Sequence, residues 1–497
     1  MNKTKITLEK DFVIANVDDR LFSSFIEHLG RAVYYGIYEP EHQEADEQGF
    51  RKDVISLVRE LGVKMVRYPG GNFLSGYNWT DGIGPRENRP VRLDLAWRSI
   101  EPNQVGIDEF YDWAKKTNVE VMAAVNMGTG TPKAAGEMLE YCNFPGGTYW
   151  SDLRKKNGHS EPYGIKTWCI GNEMDGPWQI CHLDAVDYGK KARETAKIMK
   201  WIDDKIELVV CGSATNLLST FPEWDRVVLE HTYEHIDYLS LHRYYENLGN
   251  DINFLASFVD MNNFIKSVYS TVEYVKSLKR STKSVYLSFD EWNVWYQQQQ
   301  TRYDWVTAPP ILEDQYSLLD ALVFAGMGMT LVNNADKVKI ACLAQLVNVI
   351  APIFTKNGGP AIRQTIFYPF RDISMYGRGR VLQPVVVTPS IETCYGDAPV
   401  VYVSAVENIE GNISLFCLNI GKSPVHTIEL NLRSFGKMEM IFWSVLKGKD
   451  LNVRNTFENP DQIKPILKQN IDGAFDTFKL DIEPLSWNVI RFKKSKQ

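Results

Sequence analysis

Short apolar or β-branched runs recur along the chain as far as about residue 345, and stretches with helical periodicity fill most of the gaps between them. The runs lie at 22–28 (FSSFIEH), 64–70 (KMVRYPG), 119–127 (VEVMAAVNM), 166–172 (KTWCIGN), 207–213 (ELVVCGS), 238–243 (YLSLHR), 285–290 (VYLSFD) and 338–345 (VKIACLAQ). "RKDVISLVRELG" follows the first, "IDEFYDWAKKTN" the second and "AVDYGKKARETAKIMKWI" the fourth, each with apolar residues three and four apart. Strand alternating with helix dictates a parallel sheet, because parallel neighbours need a long crossover and a helix supplies it. Eight such units within about 350 residues predict a (β/α)8 TIM barrel of α/β class. The alternative is a doubly wound open sheet, but no Gly-x-Gly-x-x-Gly turn follows the first strand.

The pattern changes near residue 380. "VVYVSAVENIEGNISLFCLNIG", "VHTIELNLRSF", "MEMIFWSVL" and "FKLDIEPLSWNVIRFKK" alternate apolar and polar residues, with turn residues between them. They predict a jelly-roll-like antiparallel β-sandwich. The opening "TKITLEKDFVI" also reads as a strand, placed before the first barrel strand, and is expected to pair with that sandwich. The expected division is 1–15 for this strand, 16–378 for the barrel and 379–497 for the sandwich. Two cores fit a chain of 497 residues, 44% hydrophobic, since single cores stop growing near ~250 to 300 residues.

Charge and cysteines exclude several function classes. The net charge of −7 comes from interspersed acids and bases, not the clustered basic face of a nucleic-acid binder. Seven scattered cysteines form no Cys-x-x-Cys pair, which argues against structural zinc or a redox dithiol and for reduced thiols in a cytosolic protein. No run has the length of a signal-peptide core or a membrane span, so the expected location is cytoplasmic, with no membrane partner.

A TIM barrel carries its chemistry where the strands end on their C-terminal side. Here those ends hold Glu27, His28, Arg67, Asn72, Asn126, Asn172, Glu173, Ser213, His242, Tyr244, Asp290, Glu291 and Gln345. Glu173 and Glu291 stand out: each closes an apolar strand beside aromatics, and three βα units separate them, on strands four and seven. Two facing carboxylates are the minimal equipment for glycoside hydrolysis, one protonated to release the leaving oxygen and one ionised to attack the anomeric carbon. Flanking Asn, Gln and Tyr suit sugar hydroxyls, and Trp faces suit the apolar side of a ring. Asp290, next to Glu291, points to the opposite face if its strand runs regularly, so it is read as structural.

The chain resembles the glycoside hydrolase family fifty-one α-L-arabinofuranosidases through "FIEHLGRAVYYGIYEP", "VRYPGGNFLSGYNWTDGIGP", "WCIGNEMDGPWQI", "SLHRYY", "LSFDEWNVWY" and "LAQLVNVIAPI", six motifs in order over nearly its whole length. The resemblance implies that Glu173 is the acid/base and Glu291 the nucleophile of a retaining double displacement, with carboxyls ~5 to 5.5 Å apart. It implies that Asn172 binds the sugar 2-hydroxyl, that Glu27, Asn72, Tyr244 and Gln345 bind the furanose, and that Trp97 and Trp178 line the pocket or meet the leaving group. His242 is read as a group behind these that orients the nucleophile's surroundings, without metal ligation. The implied substrates are terminal arabinofuranosyl residues of arabinan, arabinoxylan and their oligosaccharides, with no metal or cofactor, and the implied assembly is a hexamer. Arg243 stands where the family often has glutamine, and "NMGTGTPKAAG" (126–136) and "RAVYYG" also depart from its pattern, which bears on leaving-group preference. Two rivals are a barrel glycosidase for another sugar and a noncatalytic carbohydrate-binding protein; the presence of both glutamates argues against the second.

Overall fold

The computed structural model of the protein describes residues 3–297, 301–422 and 425–495; the extreme ends of the expected N-terminal strand segment and of the sandwich lie outside them. Eight parallel strands close into a barrel. In chain order they are Ser23–Phe25, Met65–Tyr68, Glu120–Val125, Thr167–Ile170, Glu207–Val210, Tyr238–Tyr245, Tyr286–Val294 and Val338–Ala344. Six lie within their expected runs, while the sixth and seventh start in theirs and continue past them, to Tyr245 and Val294. The second and fourth, MVRY and TWCI, are buried at every residue, because helices cover them outside and side chains fill the lumen inside. The lumen is packed with Phe25, Met65, Met122, Cys169, Val209, Ile340 and Cys342, so the barrel is a core and not a pore.

The helices follow from their apolar spacing. Lys52–Leu61 buries Val54, Ile55, Leu57, Val58 and Leu61, and ends at Gly62, whose φ of 74° glycine adopts without a Cβ clash. Ala185–Ile202 starts at Asp184, whose side chain accepts from the Asp187 N–H. Leu318–Asn333 is apolar on nearly every face and buried from Leu318 to Val332, as a helix clamped on every side must be. One core joins this helix and the barrel's outer layer to Phe416, Leu418, Trp487 and Val489 of the C-terminal sheets.

Those sheets form a second core around Ile6, Leu415, Ile428, Trp443, Leu480 and Phe492, between a four-stranded and an eight-stranded sheet. The N-terminal strand Lys3–Thr7 lies in the smaller sheet, antiparallel to Val385–Val387 and parallel to His426–Asn431. The sandwich is therefore not wholly antiparallel, because a strand arriving from the far end of the chain is free of the hairpin connections that impose antiparallel pairing. A second N-terminal strand, Val13–Asn16, pairs with Arg380–Leu382 in the larger sheet. Among the described residues no helix is long and apolar enough to cross a membrane.

Candidate active site

The C-terminal ends of the barrel strands surround a cavity of about 470 Å³. Glu27, Asn72, Trp97, Glu173, Trp178, Tyr244, Glu291 and Gln345 all line it. Asn172 and His242 stand behind this surface, both almost fully buried.

Strand seven sets the geometry through an irregularity. Against strand six, Ser288 pairs with Ser240 but Glu291 pairs with His242; against strand eight, Phe289 pairs with Ala341 but Trp292 pairs with Leu343. Between Phe289 and Trp292 strand seven thus bulges against both neighbours, an irregularity of the kind found beside active sites. The bulge breaks the in-out alternation and corrects the reading of Asp290 as facing away. Asp290 accepts a hydrogen bond from the Ser240 hydroxyl, its Oδ1 lies 3.1 Å from His242 Nε2, and its Oδ2 lies 3.7 Å from Arg67 Nε.

Glu291 is held by two donors, Arg67 Nη1 to Oε1 at 2.7 Å and the Tyr244 hydroxyl to Oε2 at 2.8 Å. Arg67 also donates from Nη2 to Asn172 Oδ1 at 2.6 Å. Burial pushes the Glu291 carboxyl above the usual carboxylate range, and Glu173 adds to this against the pull of His242 and Arg67. Burial works on Asp290 in the same sense, but there the Arg67 charge and His242 win and hold it below its ordinary value. For His242, burial opposes the charged imidazolium, yet Glu291, Asp290 and Glu173 together lift it to about 10.

Glu173 follows strand four at φ 41°, a left-handed conformation that costs a non-glycine residue about 1–3 kcal/mol. Its Oε1 lies 2.8 Å from His242 Nδ1, and its Oε2 accepts from Trp178 Nε1 at 2.6 Å. Trp178 is 47% exposed, so its ring forms an outer wall. One carboxylate oxygen of Glu173, one of Glu291 and a ring nitrogen of His242 lie within 4.8 Å of one another. Three such atoms have the spacing of a metal-ligand set. Here, however, Arg67 and Tyr244 already donate to Glu291, and a guanidinium supplies the positive charge that a cation would bring.

Across the cavity, Glu27 Oε1 accepts from the Phe73 N–H at 2.8 Å and from Trp97 Nε1 at 2.9 Å, while the Glu27 N–H donates to Gln345 Oε1 at 2.9 Å. Glu27 pairs with no arginine: Arg31 is taken by Glu313 at 2.6 Å and Arg67 by Glu291. Burial lifts its carboxyl to about 8 despite the Phe73 and Trp97 donors. The Asn172 amide nitrogen has only long contacts, 3.4 Å to Gln179 Oε1 and 3.5 Å to Asn72 Oδ1. Tyr244 packs edge-on to Trp295, their centroids 5.0 Å apart.

Sequence reasoning placed Arg67 at a strand end and weighed it only as a partner for Glu27, although a signal for its place beside Glu291 was present. An arginine inside the apolar run MVRY cannot be buried without an anion, so its strand had to end near carboxylates. Ser240 carried no such signal.

Residues 57–251 match the model of the α-L-arabinofuranosidase 1 domain and residues 290–486 that of the α-L-arabinofuranosidase C-terminal domain. The chain is 52% identical, over 99% of its length and 100% of the relative's, to a Bacillus subtilis protein named intracellular exo-α-(1→5)-L-arabinofuranosidase 1. It is 45% identical, over 99% of its length and 98% of the relative's, to an exo-α-(1→6)-L-arabinofuranosidase of Bifidobacterium longum. Among solved structures, a family 51 α-L-arabinofuranosidase from Bifidobacterium longum superposes with a TM-score of 0.95 at 43% identity, covering 99% of this chain and 100% of that one. The arabinose complex of the Thermotoga maritima α-L-arabinofuranosidase gives 0.89 at 33% identity, covering 98% and 99%. The chain is a glycoside hydrolase and belongs to the family 51 α-L-arabinofuranosidases.

Proposed function

We propose that this protein removes terminal non-reducing α-L-arabinofuranosyl residues from arabinan, arabinoxylan and arabino-oligosaccharides by a retaining double displacement. The observation that carries the reading is that carboxylate oxygens of Glu173 and Glu291 lie within 4.8 Å of each other. An inverting pair stands about 6.5 to 9.5 Å apart to admit water between them, whereas a retaining pair is about 5 to 5.5 Å apart.

In this reading Glu291 attacks the anomeric carbon as the glycosidic bond breaks, and a proton from Glu173 goes to the leaving oxygen. Water then attacks the same carbon, gives its proton to Glu173 and releases Glu291. Arg67 and Tyr244 favour the charged form of Glu291, and with the pair's one proton on Glu173 the repulsion between the two carboxyls disappears. Asn172, its oxygen fixed by Arg67, offers its amide N–H to the sugar 2-hydroxyl, a bond that strengthens in the transition state. Glu27, neutral below about pH 8, joins Asn72, Tyr244 and Gln345 in holding the furanose. Trp97 and Trp178 wall the pocket. His242 holds Glu173 in place.

No metal enters this scheme, so a chelator leaves turnover unchanged. The name of the Bacillus subtilis relative points to action inside the cell, and the names of the two relatives point to (1→5) or (1→6) linkages. The hexamer of the family is the expected assembly, checked by sedimentation. The decisive test is proton NMR in heavy water with an aryl α-L-arabinofuranoside. The α anomer of arabinose appears first, and the Glu291→Ala variant produces none; appearance of the β anomer first means inversion and sinks the mechanism.

A further inference from the structure

His242 is gripped at both ring nitrogens. Nδ1 lies 2.8 Å from Glu173 Oε1 and 3.6 Å from Glu291 Oε2, and Nε2 lies 3.1 Å from both Asp290 Oδ1 and the Ser240 hydroxyl. Beyond Asp290 stands the Arg67 guanidinium, and beyond Glu173 the buried Asp175. Arg67 keeps Asp290 ionised, and an ionised carboxylate only accepts hydrogen bonds. Nε2 must therefore carry a hydrogen. That leaves Nδ1 facing Glu173 Oε1 at hydrogen-bonding distance, and the rise of His242 to about 10 expresses the affinity of this contact for one further proton. That contact is satisfied only with a proton in it, held by Glu173 or by the ring. Glu173 Oε2 already accepts from Trp178, so the proton belongs on the Oε1 side.

We propose that Asp290 is a positioning residue: by fixing the hydrogen on Nε2 of His242, it makes Glu173 keep a proton as an acid and reclaim one as a base. The inference rests on the double-displacement reading above. In the first step the proton of the Glu173–His242 pair passes to the leaving oxygen as the glycosidic bond breaks. A lone pair on Nδ1 then faces a carboxylate oxygen with no hydrogen between them. The repulsion is relieved when water gives its proton to Glu173 while its oxygen bonds to the anomeric carbon and the Glu291 ester breaks. The logic is that of the aspartate that sets the histidine tautomer in serine proteases, applied here to a carboxylic acid.

The Asp290→Asn variant tests it in the full-length protein. The amide can donate to Nε2, which lets the hydrogen move to Nδ1, where it donates to Glu173 and stabilises the ionised form. For an alkyl arabinofuranoside, the alkaline limb of kcat/KM is expected to move to lower pH by roughly one unit or more. For an aryl substrate with a good leaving group, kcat falls and azide, which needs no general base, restores it. A uniform loss on both substrates, with the limb in place and no azide rescue, would overturn the proposal. Should the variant not fold, nitrogen NMR of wild-type protein labelled in its histidine rings, with the His242 signal assigned through His242→Gln, replaces it. Hydrogen on Nε2 with Nδ1 bare supports the proposal; hydrogen on Nδ1, in a neutral ring or in an imidazolium that leaves Glu173 ionised, refutes it. Failure of the underlying mechanism shows separately: if azide does not rescue Glu173→Ala to a glycosyl azide of retained configuration, Glu173 is not the acid/base, whatever Asp290 does.

Discussion

Glu27 is a carboxyl that the pocket keeps neutral at the pH where its neighbours work. Burial lifts it to about 8, and Glu291 and Asp94 push in the same direction. With Oε1 occupied by the Phe73 and Trp97 donors, the proton rests on Oε2, where it can be donated to a sugar hydroxyl. Above pH 8 Glu27 ionises, that donor is lost and a second negative charge faces Glu291. KM for an aryl arabinofuranoside is therefore expected to rise as pH passes 8. A Glu27→Gln variant keeps a donor without a titrating group, so its KM stays flat across that range, at a value raised up to about tenfold by imperfect hydrogen bonding. A wild-type KM that stays level from pH 7 to 9 would show that Glu27 does not change its protonation there, against the value of about 8.

The elements carry these residues with little slack. Gly71, between strand two and the short helix Asn72–Gly76, leaves little room for a side chain: a Cβ there would lie 3.1 Å from Glu27 Oε2 and 3.2 Å from Glu291 Oε1. Gly71→Ala is expected to lower kcat/KM at least 100-fold, because it displaces both carboxyls by a few tenths of an ångström or fills the sugar's place. Its melting temperature should change little, since the methyl enters the cavity and not a core; a large drop in melting temperature would contradict this. Which parts of this arrangement the sequence discloses follows from the same physics. Strands buried on both faces must be continuous apolar runs, so all eight barrel strands, and the strand-end places of Glu173 and Glu291, could be read from the chain. A bulge leaves no such trace. "YLSFDEWNV" reads equally well as regular alternation, and only the partner strands show that Asp290 turns inward. Trp97 meets Glu27 from a loop 70 residues away, a contact that no local pattern encodes and that only family resemblance suggested.

Over the whole molecule, buried acids link stability to pH. Burial raises Asp94 to about 6, Asp175, Asp225 and Asp314 to about 7, and Glu27 to about 8. An unfolded chain releases these protons near pH 4, so between about 4 and 8 the folded state binds more protons than the unfolded one, and stability falls as pH rises. His242 acts in the same sense: its folded value of about 10 exceeds the unfolded one, so its contribution is complete below about 6.5 and fades as pH climbs to 10. Asp290, Asp18 and Asp53, held below their ordinary values by arginine partners, act in the opposite sense. Their contribution is present above about pH 4 and is lost below it. The melting temperature should therefore peak between about pH 4 and 5 and decline by several degrees towards pH 8.5, as measured by calorimetry in buffers of matched ionic strength. A curve that is flat or rising over that interval would mean that the buried acids ionise within the fold without cost. The neutral Glu27 invoked at the residue scale would fall with it.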